Sequence, residues 1–158
     1  MRRFLLAAFL SASLPAFAFA NVIGERAGWK VHETGYSFTE LVERVDNAVK
    51  ANEMGLVTRA SASAGAKNAG ITIPGNMVIG VYRNDFARRM LAANIAAGIE
   101  APIRFYVTEE PDGTATLSYK TPTTVFSPYF AEGGDALEVL AGELDTIFAQ
   151  IAEEAVGE

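Results

Sequence analysis

The sequence predicts a two-layer α+β sandwich: a mainly antiparallel sheet of about five strands with helices packed on one side. Three features carry this reading. "IRFYVTEEPDGTATLSYK" alternates apolar and polar residues on both sides of a turn, the pattern of an antiparallel hairpin. Two stretches, from Phe38 and from Asp135, repeat apolar residues at helical spacing. "MVIGVY" is a short apolar run of strand length. With 158 residues, half of them apolar, the chain is long enough to bury one core.

The first twenty residues stand apart from this fold. "MRRFLLAAFLSASLPAFAFA" has Arg2 and Arg3, an apolar run from Phe4 to Leu14, and Ala18-Phe19-Ala20 as a small-residue cleavage site. This is the pattern of a secretory signal peptide, cut between Ala20 and Asn21. The apolar run is shorter than the roughly 18 residues a spanning helix needs, so no stable membrane span is expected after cleavage. General secretion fits better than twin-arginine export, because the residues around Arg2 and Arg3 lack that signal's usual neighbours. A single domain over residues 21–158, periplasmic or secreted, is the expected product.

Loss of Arg2 and Arg3 takes the formal charge from −6 to −8, which disfavours nucleic acid and anionic membranes as partners. The chain has no cysteine, so disulfides, thiolate ligands and thiol catalysis are excluded.

The elements follow in order. Trp29 to Thr34 alternates, with Trp29 and Val31 assigned to the apolar face and Lys30 and His32 to the opposite one. Gly35 ends this strand, and Ser37 with Glu40 forms a capping box for a helix from about Phe38 to Met54, stopped by Gly55. A short strand covers Leu56 to Arg59. "SASAGAKNAG" then gives a brief alanine-rich helical turn; Gly65 and Lys67 lack the spacing of a phosphate-binding loop. Met77 to Tyr82 is expected as a central strand. Asn84 caps a second helix bearing Phe86, Met90, Leu91 and Ile95, which ends by Gly98.

The hairpin from Ile103 to Lys120 places Ile103, Phe105 and Val107 with Ala115, Leu117 and Tyr119 on its apolar side. Asp112, Gly113, Glu109 and Glu110 lack the spaced oxygen ligands of a calcium loop, so they read as a solvated turn. The final helix starts at Asp135 and shows an apolar stripe of Leu137, Leu140, Leu144, Ile147, Phe148 and Ile151. No lysine or arginine follows Thr121, so this acidic helix suits either solvent or a place near Arg88 and Arg89.

Chemistry is sparse. One histidine builds no His-rich zinc site, and no nucleophile elbow or dinucleotide fingerprint occurs, so no cofactor is expected and no metal site is assigned. His32, beside Glu33, is the catalytic candidate, although adjacent strand residues point to opposite faces. The candidate ligand-binding residues are Tyr36, Tyr106, Tyr119 and Tyr129, with Phe126 among them, as the lining of an apolar pocket.

"YSFTELVERVDNAVKANEMGLV", "AKNAGITIP", "RNDFARRML" and "APIRFYVTEEPDGTATLSYKTP" together resemble domain-of-unknown-function family 302. The likeness begins near Lys30 and extends through the final helix. It implies a compact two-layer α+β domain, often self-associating, with no settled activity. The chain departs from the family pattern at Ser61-Ala62, where many members carry Asp-His, and at Arg83-Asn84-Asp85, where many carry Gly-Asn-Pro. A metal or acid-base role tied to that Asp-His pair is therefore not carried over.

The function expected on this basis is a non-catalytic binding or assembly domain of the cell envelope. It would form a homodimer and take a small apolar ligand or an envelope protein, using the sheet face or the space between sheet and final helix. The alternatives are a periplasmic hydrolase or isomerase using His32 with a tyrosine or carboxylate, and metal binding by carboxylates with His32.

Overall fold

The computed structural model describes residues 23–157. The expected signal peptide and its cleavage site lie outside the described residues. Among the described residues no helix is long and apolar enough to cross a membrane.

The expected two-layer α+β architecture is present. The chain runs β1 (Trp29–Ser37), α1 (Phe38–Ala51), β2 (Gly55–Ala60), α2 (Ala62–Asn68), β3 (Asn76–Tyr82) and α3 (Asn84–Ala93). After a 3-10 turn at Ala96–Glu100 come β4 (Ile103–Glu109), β5 (Thr114–Lys120), α4 (Pro122–Phe126) and α5 (Phe130–Val156). The sheet order is β1-β5-β4-β3-β2, and every neighbouring pair is antiparallel.

Alternation decides the core. Ile79 on β3, Phe105 on β4 and Leu117 on β5 are fully buried on the side covered by α1, α3 and α5. Leu41, Val45 and Val49 of α1 and Leu137, Phe148 and Ile151 of α5 meet them from above. Phe105 stacks on Phe148 with centroids 4.6 Å apart and meets Tyr119 edge-on at 5.2 Å.

Capping chemistry sets most boundaries. The Ser37 hydroxyl accepts the Glu40 N–H at 3.3 Å, the N-cap half of the expected capping box. The α1 helix ends earlier than expected, at Ala51: Glu53 takes a positive φ of 58° and Met54 turns into the core, so Gly55 opens β2 instead of stopping the helix. Arg83, not Asn84, is the N-cap of α3, and it makes no side-chain capping bond. The α5 helix is interrupted at Gly134, whose φ of 56° and ψ of −161° only glycine adopts freely, just before the Asp135 expected to begin it.

Two strands differ from expectation. β3 is interior but not central; β4 is the middle strand. β1 continues through Gly35 to Ser37, with a register shift between Glu33 and Ser37 in its pairing to β5.

Candidate functional site

His32 lies on the side of the sheet opposite to the one expected. Its partner across the ladder is Leu117, which faces the helices, whereas Trp29 and Val31 are opposite Lys120 and Ser118 and face away from them. The physical reason is the position of β1 at the sheet edge. Helix cover thins out there, so Lys30 and His32 are tolerated on the helix side, while Trp29 and Val31 cover sheet on the other. The His32 ring is parallel to that of Tyr119 at 6.3 Å, and its Nε2 is buried without a hydrogen-bond partner. Neither a carboxylate nor a tyrosine hydroxyl bonds to it, so the acid-base pairing expected around His32 is not assembled.

The four tyrosines do not converge on one pocket: only Tyr106 and Tyr119 border a common concavity. Tyr36 packs beneath the Arg44 guanidinium, 4.1 Å from its ring centroid, where Arg44 also donates to the Ala155 carbonyl at 2.5 Å. Tyr129 donates its hydroxyl to Glu100 at 2.8 Å; that hydrogen bond is the main cause of its raised pKa. Tyr119 belongs to the core. Burial pushes its hydroxyl up to about 12, with the Asp145 and Glu153 carboxylates adding to the rise. Phe126 is also a core residue. Tyr106 alone points to the uncovered side of the sheet.

The space between the sheet and α5 is not a ligand pocket either. Between Met54, Phe86, Met90 and Leu140 only about 30 Å³ remains, roughly the room of one water molecule.

A larger concavity, about 340 Å³, opens on the uncovered face between Trp29, Arg104, Tyr106, Ser118, Lys120 and Val125. The strand register builds it in transverse rows. Trp29 pairs with Lys120, Arg104 with Gly80, and Tyr106 with Ser118; one step beyond the Phe105–Tyr119 pair puts Arg104 beside Lys120. One row therefore reads Trp29, Lys120, Arg104, Gly80, and the next Val31, Ser118, Tyr106, Val78. Thr116 and Ser118 are buried on this face, where β5 lies between the β1 and β4 side chains and Val125 of α4 borders one end of the trough.

Two glycines shape its ends. At Gly28, φ is +75° and a Cβ would strike the Thr124 side chain, so only glycine lets the turn before Trp29 close against α4. Its carbonyl accepts the Thr121 N–H at 2.9 Å. From the other side Asp145 fixes α4 by accepting the Thr123 N–H at 2.8 Å and its hydroxyl at 2.5 Å. Gly80 has the same role in the floor, since a Cβ there would overlap the Thr58 hydroxyl and approach Pro102 Cγ at 2.9 Å.

The electrostatics of the trough run against those of the chain. In a protein of net charge −6, Arg104 and Lys120 stand side by side, and the ion pairs among the described residues involve neither of them. Lys120 Nζ lies 5.7 Å from the Trp29 ring centroid and the Arg26 guanidinium 5.1 Å from it. The acidic helix, by contrast, is matched within the chain: Arg89 donates to both Glu143 oxygens at 2.7 and 2.8 Å, which holds the Glu143 carboxyl below its usual range. Asp112 is likewise lowered, chiefly by the Thr114 hydroxyl donating to it in the hairpin turn. Among the described residues no group of three or more histidines and carboxylates is placed to hold a metal ion.

Fold and trough together define a small α+β domain with one helix-covered sheet face and one open, cation-bearing face. The chain belongs to the family described as domain of unknown function DUF302, whose pattern matches residues 30–155. It is similar to the crystal structure of an uncharacterized conserved DUF302 protein from Bacillus stearothermophilus, with a TM-score of 0.72 and 18% identity over 82% of this chain and 99% of that one. That likeness is one of fold. No curated protein matches the chain.

Of the residues lining the trough, sequence reasoning singled out Tyr106 and Tyr119, the latter with its ring mostly in the core. It passed over Trp29, Arg104 and Lys120. The signal that would have found them is the hairpin register, which sets Arg104 beside Lys120 once the turn at Asp112-Gly113 is fixed.

Proposed function

We propose that the protein is a binding domain of the cell envelope, with its ligand seated in the trough on the open sheet face. The observation that carries this reading is the trough itself: about 340 Å³, walled by Trp29 and Tyr106 and bearing two cations without acid partners among the described residues. This volume lies at the lower end of the range for small-molecule sites, which combine apolar walls with a few polar groups. The reading of residues 1–20 as a cleaved signal peptide supports an envelope location, with Asn21 as the mature N-terminus.

A hydrolase or isomerase centred on His32 has one observation in its favour, the buried and unpartnered Nε2. A general acid or base must reach the proton it moves, and this nitrogen has neither an orienting partner nor a place among the residues lining the concavities described above. Binding is therefore the better supported reading.

Native mass spectrometry of the protein purified from its own periplasm tests it. The expected result is a chain beginning at Asn21 that retains a small molecule, with the retained mass lost in a Tyr106→Ala variant. Bare protein in the wild type, or a retained mass indifferent to Tyr106, contradicts it. A complex with a second copy that shields Trp29 would make the open face an assembly surface instead.

A further inference from the structure

We infer that the trough takes a flat organic anion, an aromatic or conjugated carboxylate, its ring against Trp29 or Tyr106 and its charge between Arg104 and Lys120. The inference rests on the open face being the binding site and adds the chemical class of the ligand.

The cation pair is the first reason. Like charges directly opposite on neighbouring strands destabilise a sheet, yet Lys120 and Arg104 occupy such positions, and the described ion pairs do not neutralise them. The acid on the same face, Glu33, is opposite Thr116, two rows away. A local rule broken without compensation among the described residues points to a partner that supplies it, and here the missing charge is negative.

The walls are the second reason. Trp29 on β1 and Tyr106 on β4 lie two strands and one row apart, roughly 12 Å on the diagonal, with Lys120 and Ser118 of β5 between them. That gap admits a planar ring stacked on either aromatic wall. Arg26 and Lys120 already approach the Trp29 ring, so its face is held in a positive environment.

A bare inorganic anion would use the cations but not the aromatic walls. The backbone N–H groups of β4 and β5, each flanked by two strands, are engaged in the ladder and are not free to cradle it. A second copy stacked face to face would bring the same Arg104 and Lys120 with it. A carboxylate on a conjugated ring satisfies both features.

The test uses the mature chain, labelled with ¹⁵N, and 2-naphthoate as the probe. Trp29 is the only tryptophan, so its indole N–H gives a single resonance at the trough wall. 2-Naphthoate should shift that resonance in a saturable way. The neutral analogue 2-naphthamide should bind about tenfold more weakly, and Lys120→Met and Arg104→Gln should each weaken naphthoate about fivefold. Lys67→Met on α2 should leave binding unchanged. Equal binding of the amide and the carboxylate, or insensitivity to both trough substitutions, overturns the anion while leaving the open face as the site. Failure of both compounds to move the Trp29 indole resonance overturns the class and the site together.

Discussion

The two faces of one sheet are built to different rules. On the helix side, Ile79, Phe105 and Leu117 are fully buried, and the Phe105, Phe148 and Tyr119 rings interlock. On the open side, a single row carries Trp29, Lys120, Arg104 and Gly80, bordered among the described residues by Val125 and Pro102. Since both faces share the same strands, the backbone cannot explain the contrast. Stability is concentrated on one face, leaving the other free to hold a charge arrangement that contributes nothing to folding.

That separation can be broken experimentally, and the largest effect belongs to the helix side. Phe105→Ala removes the ring joining β4 to α5 and should cost about 3–5 kcal/mol, read as a lower midpoint in urea denaturation. A loss below about 1 kcal/mol would show that the core closes around the deletion, contrary to the packing seen. Gly80→Ala comes next, because the new Cβ meets Thr58 and Pro102; a cost of about 1–3 kcal/mol is expected, relieved in part by a second change, Thr58→Ala.

The alkaline limb gives the third effect. Tyr119 has its pKa raised from 10.0 to about 12 by burial, so the folded state keeps the proton after the unfolded chain releases it. Its contribution is complete below pH 10 and is lost as pH rises through that window to about 12. The loss amounts to at most about 3 kcal/mol. Tyr119→Phe should flatten the stability profile over this range, and an unchanged profile would mean that Tyr119 ionises as freely folded as unfolded. The smallest effect lies on the open face: Lys120→Met should leave stability unaltered or raise it by about 0.2–0.5 kcal/mol, because it relieves repulsion from Arg104. A fall of 1 kcal/mol would mean that Lys120 has a structural partner.

The fold was largely legible because its signals are local. Ser37 with Glu40, the Asp112-Gly113 turn, and the alternation through Phe105 and Leu117 each need only a few neighbouring residues to read. The site was not, because it is assembled from four strands. His32 misled for a definite reason: Trp29 and Val31 look like a core-facing pair, and only the pairing of β1 with β5 shows that they face the open side. The tyrosines misled differently. Residue type alone cannot separate Tyr119, buried in a ring cluster, from Tyr106, which walls a trough. Arg104 and Lys120 become conspicuous only when sequence register is converted into neighbours across the sheet.

The central claim, that the helix side holds the fold and the open side holds the ligand, is tested most directly by Tyr106→Ala measured in two ways. Urea denaturation should place its stability within about 1 kcal/mol of the wild type, since Tyr106 lies outside the buried core. Naphthoate binding, followed at the Trp29 indole, should weaken by about tenfold or more. A variant that binds as well as the wild type, or one that loses stability and binding together, contradicts the division.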